Sequence, residues 1–315
     1  MKIKGHLLGI VVVLLALGVA TSCGEDATEK IHLRLNLQEG ESFSLRMVTD
    51  QDVSQTIQGQ QQETKQTLGL SYTFDVDQVN SDGSALTRVT YDWVLFEQDG
   101  PMGKTKYDSA TPPDTVSPAA AAYAALVGQG FTMEISPEGR VKDLQGVDDM
   151  ITHMLEELDL TEGATMDSIE ESLRAQFGDQ ALQENMESLM AIYPEEPIGI
   201  GDTWSKTVAA SVGVPMILEN RWTLTAREDG VATVDVYSTI KSNPEAAPLE
   251  IPPVKMSFDI SGVQQGTMTL DEGTGWTISA YVTQTLAGEI EMEMGERISW
   301  PISIKSTTRL ESLEE

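Results

Sequence analysis

The sequence predicts an α+β fold that is mostly antiparallel β: two β-rich halves with a central helical insert. Three observations predict it. Apolar and polar residues alternate over many stretches, the period of a half-buried strand. Turn signals such as Asp82-Gly83 and Asp229-Gly230 separate those stretches, as in hairpins. Between Val147 and Tyr193 the period lengthens to that of an amphipathic helix.

The first half begins near Ile31. Residues 31–37 (IHLRLNL) alternate as a strand, and Glu39-Gly40-Glu41 turns the chain. Ser42 to Val48 resumes the alternation with Phe43, Leu45 and Met47. Val53 to Gln66 is a polar strand-like stretch rich in Gln and Thr. Tyr72 to Val79 and Ala85 to Phe96 read as strands joined by the turn Asn80-Ser81-Asp82-Gly83. The run DSATPPDTVSP, residues 108–118, is a loop. It ends in Ser117-Pro118, an N-cap followed by proline at the first helical position. A short helix over Pro118–Val127 follows, ended by Gly128. Phe131 to Val141 is a further hairpin, turning at Pro137-Glu138-Gly139.

In the insert, Met150, Ile151, Met154, Leu155 and Leu158 recur at helical spacing. So do Ile169, Leu173 and Phe177, then Leu182, Met186, Leu189 and Met190. These make three helices. Asp167 with Glu170 has the spacing of a capping box for the second. From Asp143 to Glu196 the chain holds 15 acidic residues and one base, Arg174. The outer helix faces are therefore strongly negative. Strand patterns return after Ile198: Trp222 to Ala226, Ala232 to Ile240, Met256 to Ile260, Thr267 to Leu270, Trp276 to Leu286 and Ile302 to Leu310. Sequence alone leaves open whether the halves close into a barrel, stack as a sandwich or stay separate.

The halves resemble each other. Gly40-Glu41-Ser42-Phe43-Ser44 matches Gly201-Asp202-Thr203-Trp204-Ser205 in kind. Thr73-Phe74-Asp75-Val76 parallels Thr223-Leu224-Thr225-Ala226, and Thr132-Met133-Glu134-Ile135 parallels Thr267-Met268-Thr269-Leu270. Either a diverged duplication or the shared chemistry of hairpins accounts for this. The same landmarks carry a family resemblance. LRLNLQEGESFSLRM, QTIQGQ, the YDS of Tyr107–Ser109, ISPEGRV, the passage from Tyr193-Pro194 to Trp204 and the LDEGTGW turn resemble an uncharacterised family of bacterial lipoproteins. Its members carry a domain of unknown function. The resemblance spans most of the chain beyond residue 23. It implies an envelope lipoprotein and supplies no reaction and no catalytic residue.

The N-terminus points the same way. Lys2 and Lys4 precede an apolar run from Leu7 to Val19, and Ala20-Thr21-Ser22 precede Cys23, the only cysteine. This is the pattern of a signal peptide, residues 1–22, with lipoprotein-type cleavage before Cys23. The Cys23 thiol would carry diacylglycerol, with N-acylation such as palmitate completing the membrane anchor. Ala20 stands where a lipobox usually has Leu. Residues 23–30 form a lipidated tether, and Gly24-Glu25-Asp26 is similar to the surface-export signal of certain Gram-negative lipoproteins. The expected location is the cell envelope, at the outer membrane.

The chain carries 20 bases and 50 acids, a net charge of −30. Loss of Lys2 and Lys4 with the signal makes it −32. Such a surface repels nucleic acid and anionic head groups. Adaptation to high salt or cation binding would each explain the excess, and no calcium-loop spacing occurs.

No nucleophile elbow, phosphate loop or dinucleotide fingerprint is present. His32 and His153, the histidines beyond the signal, lie too far apart in sequence to suggest a zinc site. No enzyme activity, metal or cofactor is expected. Exposed aromatics that would mark a glycan platform are not evident, since all five Trp fall in or beside strand patterns. Methionine adapts to irregular apolar partners. Met150 with Met154, and Met186 with Met190, share helix faces. These four residues either fill the core or line an apolar site. The boundaries expected are 31–142 for the first β-rich half, 143–197 for the acidic helical insert and 198–315 for the second half. The function expected is a lipid-anchored, non-enzymatic envelope protein binding an apolar ligand or an envelope partner. The alternative is a structural or assembly lipoprotein without a small ligand; an envelope hydrolase ranks third.

Overall fold

The computed structural model describes residues 30–101, 103–158, 164–212, 214–246, 249–251, 254–294 and 296–313. The signal segment and Cys23 lie outside the described residues. The first part of the chain runs β1 (Ser42–Ile57), β2 (Gln60–Val79), β3 (Ala85–Gly100), β4 (Gly103–Asp108), α1 (Pro118–Ala124), β5 (Gly130–Ile135) and β6 (Val141–Gln145). Three helices follow: α2 (Val147–Glu157), α3 (Ala164–Phe177) and α4 (Asp179–Met190). The last part is β7 (Thr203–Val212), β8 (Val214–Glu228), β9 (Val231–Ser242), β10 (Leu249–Ile251), β11 (Val254–Asp271), β12 (Thr277–Met294) and β13 (Glu296–Leu313).

The fold is mostly antiparallel β with a few helices. The described strands belong to one sheet, in the order β6-β5-β3-β2-β1-β13-β12-β11-β9-β8-β7, with β4 on β3 and β10 on β11. The first and last strands meet: β1 pairs β13 from Ser44↔Leu313 to Gln55↔Ile302. The chain therefore meanders outward from β1 to one edge, crosses through the helices, and meanders back from the other edge. No strand pair joins the edges β6 and β7 among the described residues. Helix α4 packs against both.

This packing supplies the hydrogen bonds an edge strand lacks. The Val141 N–H, on β6, donates to Glu187 Oε1 at 3.0 Å, and Gln183 Nε2 donates to the Val141 carbonyl at 3.4 Å. On the other side Trp204 Nε1, on β7, donates to the Ile192 carbonyl just beyond α4 at 2.6 Å. The β5–β6 turn closes against the same helix end. Gly139 has φ +77, and a Cβ there would lie 1.9 Å from the Met190 carbonyl oxygen, so only glycine fits.

Residues alternate between the concave and convex faces of the sheet. Concave residues sit in registered rows. One row is polar across eight strands: Asn220↔Ser238, Ser238↔Gln264, Gln264↔Gln284, Gln284↔Ser306, Ser306↔Gln51, Gln51↔Gln66 and Gln66↔Gln98. It divides two apolar regions. The larger lies under the helices and includes Phe74, Tyr91, Leu126, Met133, Ile151 and Leu270. The smaller includes Leu218, Ile240, Ile260, Leu286, Ile290 and Trp300. Val208 of β7 and Val53 of β1 pack against that smaller cluster, so the sheet curls over itself there. Curling needs close strand approach: a Cβ on Gly266 would stand 2.1 Å from the Tyr281 carbonyl oxygen.

Several sequence expectations are corrected. Residues 31–37 are extended but form no ladder strand; only Ile31 bridges Ile198. The segment instead lies across one end of the curled sheet. Leu33, Leu35 and Leu37 are buried, the Leu35 N–H donates to the Pro137 carbonyl, and the Asn36 N–H donates to the Thr274 carbonyl, both at 2.8 Å. One side in the core and one in water gives the same period as a strand. Val53–Gln66 is not one strand: Gln58 and Gly59, both at positive φ, turn it into the β1–β2 hairpin. Met256–Ile260 and Thr267–Leu270 are parts of the single strand β11. Helix α1 ends at Ala124, before Val127. Asp167 lies a turn inside α3 rather than at its cap.

Candidate functional site

A cavity of about 350 Å³ lies between the concave face and the helices. Ligand pockets run from ~300 to ~1,000 Å³, so it sits at the small end. Its helical wall is one face of α4: Leu182, Asn185, Met186 and Leu189 line it, at the i, i+3, i+4, i+7 spacing of an apolar stripe. Phe177 closes α3 onto it and Tyr123 adds α1, stacked on Phe96 with centroids 4.8 Å apart. The sheet wall includes Leu70 and Tyr72 of β2, Tyr91 of β3, Trp222 of β8 and Met268 of β11. Asn220 and Gln264 bring the polar row to its boundary.

Among the described residues no Asp, Glu, Lys, Arg or His lines this cavity, although the chain carries 70 such acids and bases besides its histidines. The alternation sends most charge to the convex face and the outer helix faces; Lys206 of β7 is an exception, in register with Asn220 and half-buried, with Nζ 3.5 Å from the Glu138 carbonyl. Polar groups are present but neutral. Ser238 Oγ donates to Asn220 Oδ1 at 2.5 Å. Asn185 Oδ1 is buried without a hydrogen-bond partner. Tyr72 and Tyr91 are 5 % and 2 % exposed and pack at 5.0 Å between centroids. Among the described residues neither hydroxyl has a protein partner. Burial raises both pKa values, and Tyr91 adds to the rise at Tyr72. Both hydroxyls stay protonated at neutral pH.

Residues 82–277 match the DUF6263 model, a family of unknown function. That is well over half of the chain. The chain belongs to the DUF6263 family. The matched span holds α1 to α4, together with β3, β8, β9 and β11 from the cavity wall. Strands β1, β2 and β13, which join the two ends of the meander, fall outside it. Comparison with curated proteins finds no match.

The structure places the four singled-out methionines in the interior. Met150, Met154, Met186 and Met190 are all buried. Only Met186 reaches the cavity wall; the other three pack in the main core. His32 and His153 are both exposed. Among the described residues no group of three or more His, Cys, Asp and Glu could hold a metal ion. The tyrosine pair and Asn185 were not found from sequence. Tyr72 and Tyr91 alternate as core residues do, and only the register, which makes them cross-strand partners, brings them together.

The convex face has a shallow polar depression of about 540 Å³ flanked by Tyr237 and Tyr281. These are 39 % and 53 % exposed, so exposed aromatics are present after all, and they are tyrosines rather than tryptophans. Arg221 lies over Tyr237 at 5.2 Å and Arg309 over Tyr281 at 6.0 Å.

Proposed function

We propose that this protein is a lipid-anchored, non-enzymatic cell-envelope protein that holds an apolar ligand between its curled sheet and its helices. One observation carries the reading: an interior cavity without a charged wall in a chain of net charge −30. An apolar site survives in such a protein only where packing keeps every carboxylate outside it, because burying an unpaired charge is costly. The signal pattern before Cys23 supports an acyl anchor, with the outer membrane as the expected location. Met186 is the residue of the original four assigned to the ligand; Met150, Met154 and Met190 are assigned to the core.

Two further features support a diverged repeat flanking a helical insert. The neighbour order β1-β2-β3-β5-β6 recurs as β7-β8-β9-β11-β12. The β5–β6 ladder shifts register between Glu134 and Ile135, and the β11–β12 ladder between Thr269 and Leu270. These are equivalent positions in the matched tetrads of the two halves. Bulges kept at equivalent places favour common descent over shared hairpin chemistry.

Assembly without a small ligand is the second reading. Tyr237, Val263 and Tyr281, all exposed on the neighbouring strands β9, β11 and β12, favour it by offering an envelope partner a patch on the convex face. Native mass spectrometry of the soluble domain, purified from its own envelope, tests between them. A retained apolar molecule, lost on Met186→Trp, supports the carrier. An empty wild-type protein that also fails to bind N-phenylnaphthylamine leaves the assembly reading.

A further inference from the structure

Resting on the carrier reading, we infer that the cavity selects a neutral amphiphile, a hydroxyl- or ester-bearing acyl compound, whose polar group is held by the hydroxyls of Tyr72 and Tyr91. The wall excludes charge of either sign. A carboxylate or phosphate would enter with no base to pair with, and an ammonium with no acid, since among the described residues no such side chain lines the cavity. Either would lose its hydration without compensation. The surrounding negative surface further disfavours anions.

A purely apolar molecule fits the wall incompletely. Tyr72 and Tyr91 are more than nine-tenths buried, line the cavity and have no protein hydrogen-bond partner among the described residues. Neither hydroxyl oxygen is among the atoms sealed off without a partner, so both face whatever occupies the cavity. A phenol donates one hydrogen bond and accepts others, so the pair can give hydrogen bonds to an ester carbonyl or exchange them with a hydroxyl. Between these groups the wall is apolar, through Leu70, Met186, Leu189 and Met268. The cavity holds about a dozen water volumes, judged from 350 Å³ and a water's ~30 Å³ share. That admits the greater part of one acyl chain, the end of a long one reaching out of the cavity, and not a multi-chain lipid.

Displacement of N-phenylnaphthylamine by two competitors with one acyl chain, monopalmitin and palmitate, tests this at about pH 8, where the acid is ionised. Monopalmitin is expected to compete at least about tenfold more strongly than palmitate. Tyr72→Phe and Tyr91→Phe, singly and together, are expected to weaken monopalmitin about three- to tenfold per hydroxyl. The loss for monopalmitin is expected to exceed the loss for the probe, whose single polar group is one N–H. Palmitate competing as well as monopalmitin, or phenylalanine variants that bind monopalmitin as the wild type does, would overturn the inference and leave the carrier reading standing. A wild-type protein that binds neither competitor nor probe overturns both. Should the double variant fail to fold, the wild-type comparison and the single variants still decide.

Discussion

The backbone N–H of Val141, on the edge strand β6, donates to Glu187 Oε1 of α4 at 3.0 Å. A side chain thus takes the place of a missing strand neighbour. With Trp204 bonded to the Ile192 carbonyl on the opposite edge, α4 spans the gap that strands leave open. The gap matters because the helix filling it is also a wall of the cavity.

Removal of that acceptor should therefore cost stability. Glu187→Ala leaves a part-buried N–H unpaired, and about 1–3 kcal/mol should be lost. Glu187→Gln keeps an oxygen in place and should lose less than half as much. Urea unfolding of the two variants measures the difference. Equal losses would mean that the carboxylate charge, rather than the hydrogen bond, holds the helix to the edge.

The contrast between Met154 and Met186 yields a second prediction. Both are buried, at 0 % and 3 % exposure, but only Met186 borders empty volume. Met154→Ala opens a new void and should cost about 2–5 kcal/mol. Met186→Ala only enlarges an existing space, so its cost should be under about 2 kcal/mol, since few contacts are lost. Probe affinity should fall for Met186→Ala and stay unchanged for Met154→Ala. Thermal melts and probe titrations on the same samples check both halves.

Much of this arrangement was legible in the sequence, and the illegible part has a definite physical origin. Alternation marked the strands and the 3.6-residue period marked α2 to α4, because both report which face is buried. Gly139 could be read as a turn residue; that its turn packs on Met190 could not. Residues 31–37 show the limit most clearly. Burial of Leu33, Leu35 and Leu37 imprints a period of two whether the backbone pairs in a ladder or merely lies across the end of one. The cavity was beyond reach for a related reason: Tyr72, Met186 and Leu70 have the same composition signal whether they touch neighbours or surround a void.

Three tyrosines should make the fold sensitive to alkali. Burial raises the pKa of Tyr72, Tyr91 and Tyr193 above the ordinary value. The neutral phenols are favoured in the folded state. Their contribution to stability is therefore complete below the unfolded value of about 10 and is lost as pH rises toward the folded values. Above pH ~10 these three should ionise together with unfolding. Tyrosinate absorbance and circular dichroism followed in one titration test this. Full ionisation of all seven tyrosines near the ordinary value, with the fold intact, would contradict it.

Salt should stabilise the protein, and α2 and α3 should respond first. Arg174, the one base from Asp143 to Glu196, has Nη1 2.6 Å from Asp148 Oδ1 and Nε 2.9 Å from Glu170 Oε1. It links the two helices within a dense field of carboxylates. The screening length shrinks from about 30 Å at 0.01 M to about 3 Å at 1 M. The melting temperature should rise across that range, and hydrogen exchange in α2 and α3 should be fastest at low salt. Arg174→Gln should steepen both trends. A melting temperature that stays level or falls with salt would remove carboxylate repulsion as a factor in stability.

The segment that lies across the end of the curled sheet gives the last test. Its residues would ordinarily count as the exit from a tether and be expected to tolerate change. The structure gives them a different role. Leu35 is 3 % exposed, and its backbone is held by the Pro137 carbonyl at the β5–β6 turn. Next to it, Asn36 is bonded to the Thr274 carbonyl at the β11–β12 turn. One short segment thus connects turns that belong to opposite halves of the meander. Leu35→Ala should cost about 2–5 kcal/mol, the range for a core leucine. His32→Ala, on the exposed side, should change stability by less than about 0.5 kcal/mol. Chemical denaturation measures both, and a Leu35→Ala loss no larger than that of His32→Ala would show that the segment lies on the fold without supporting it.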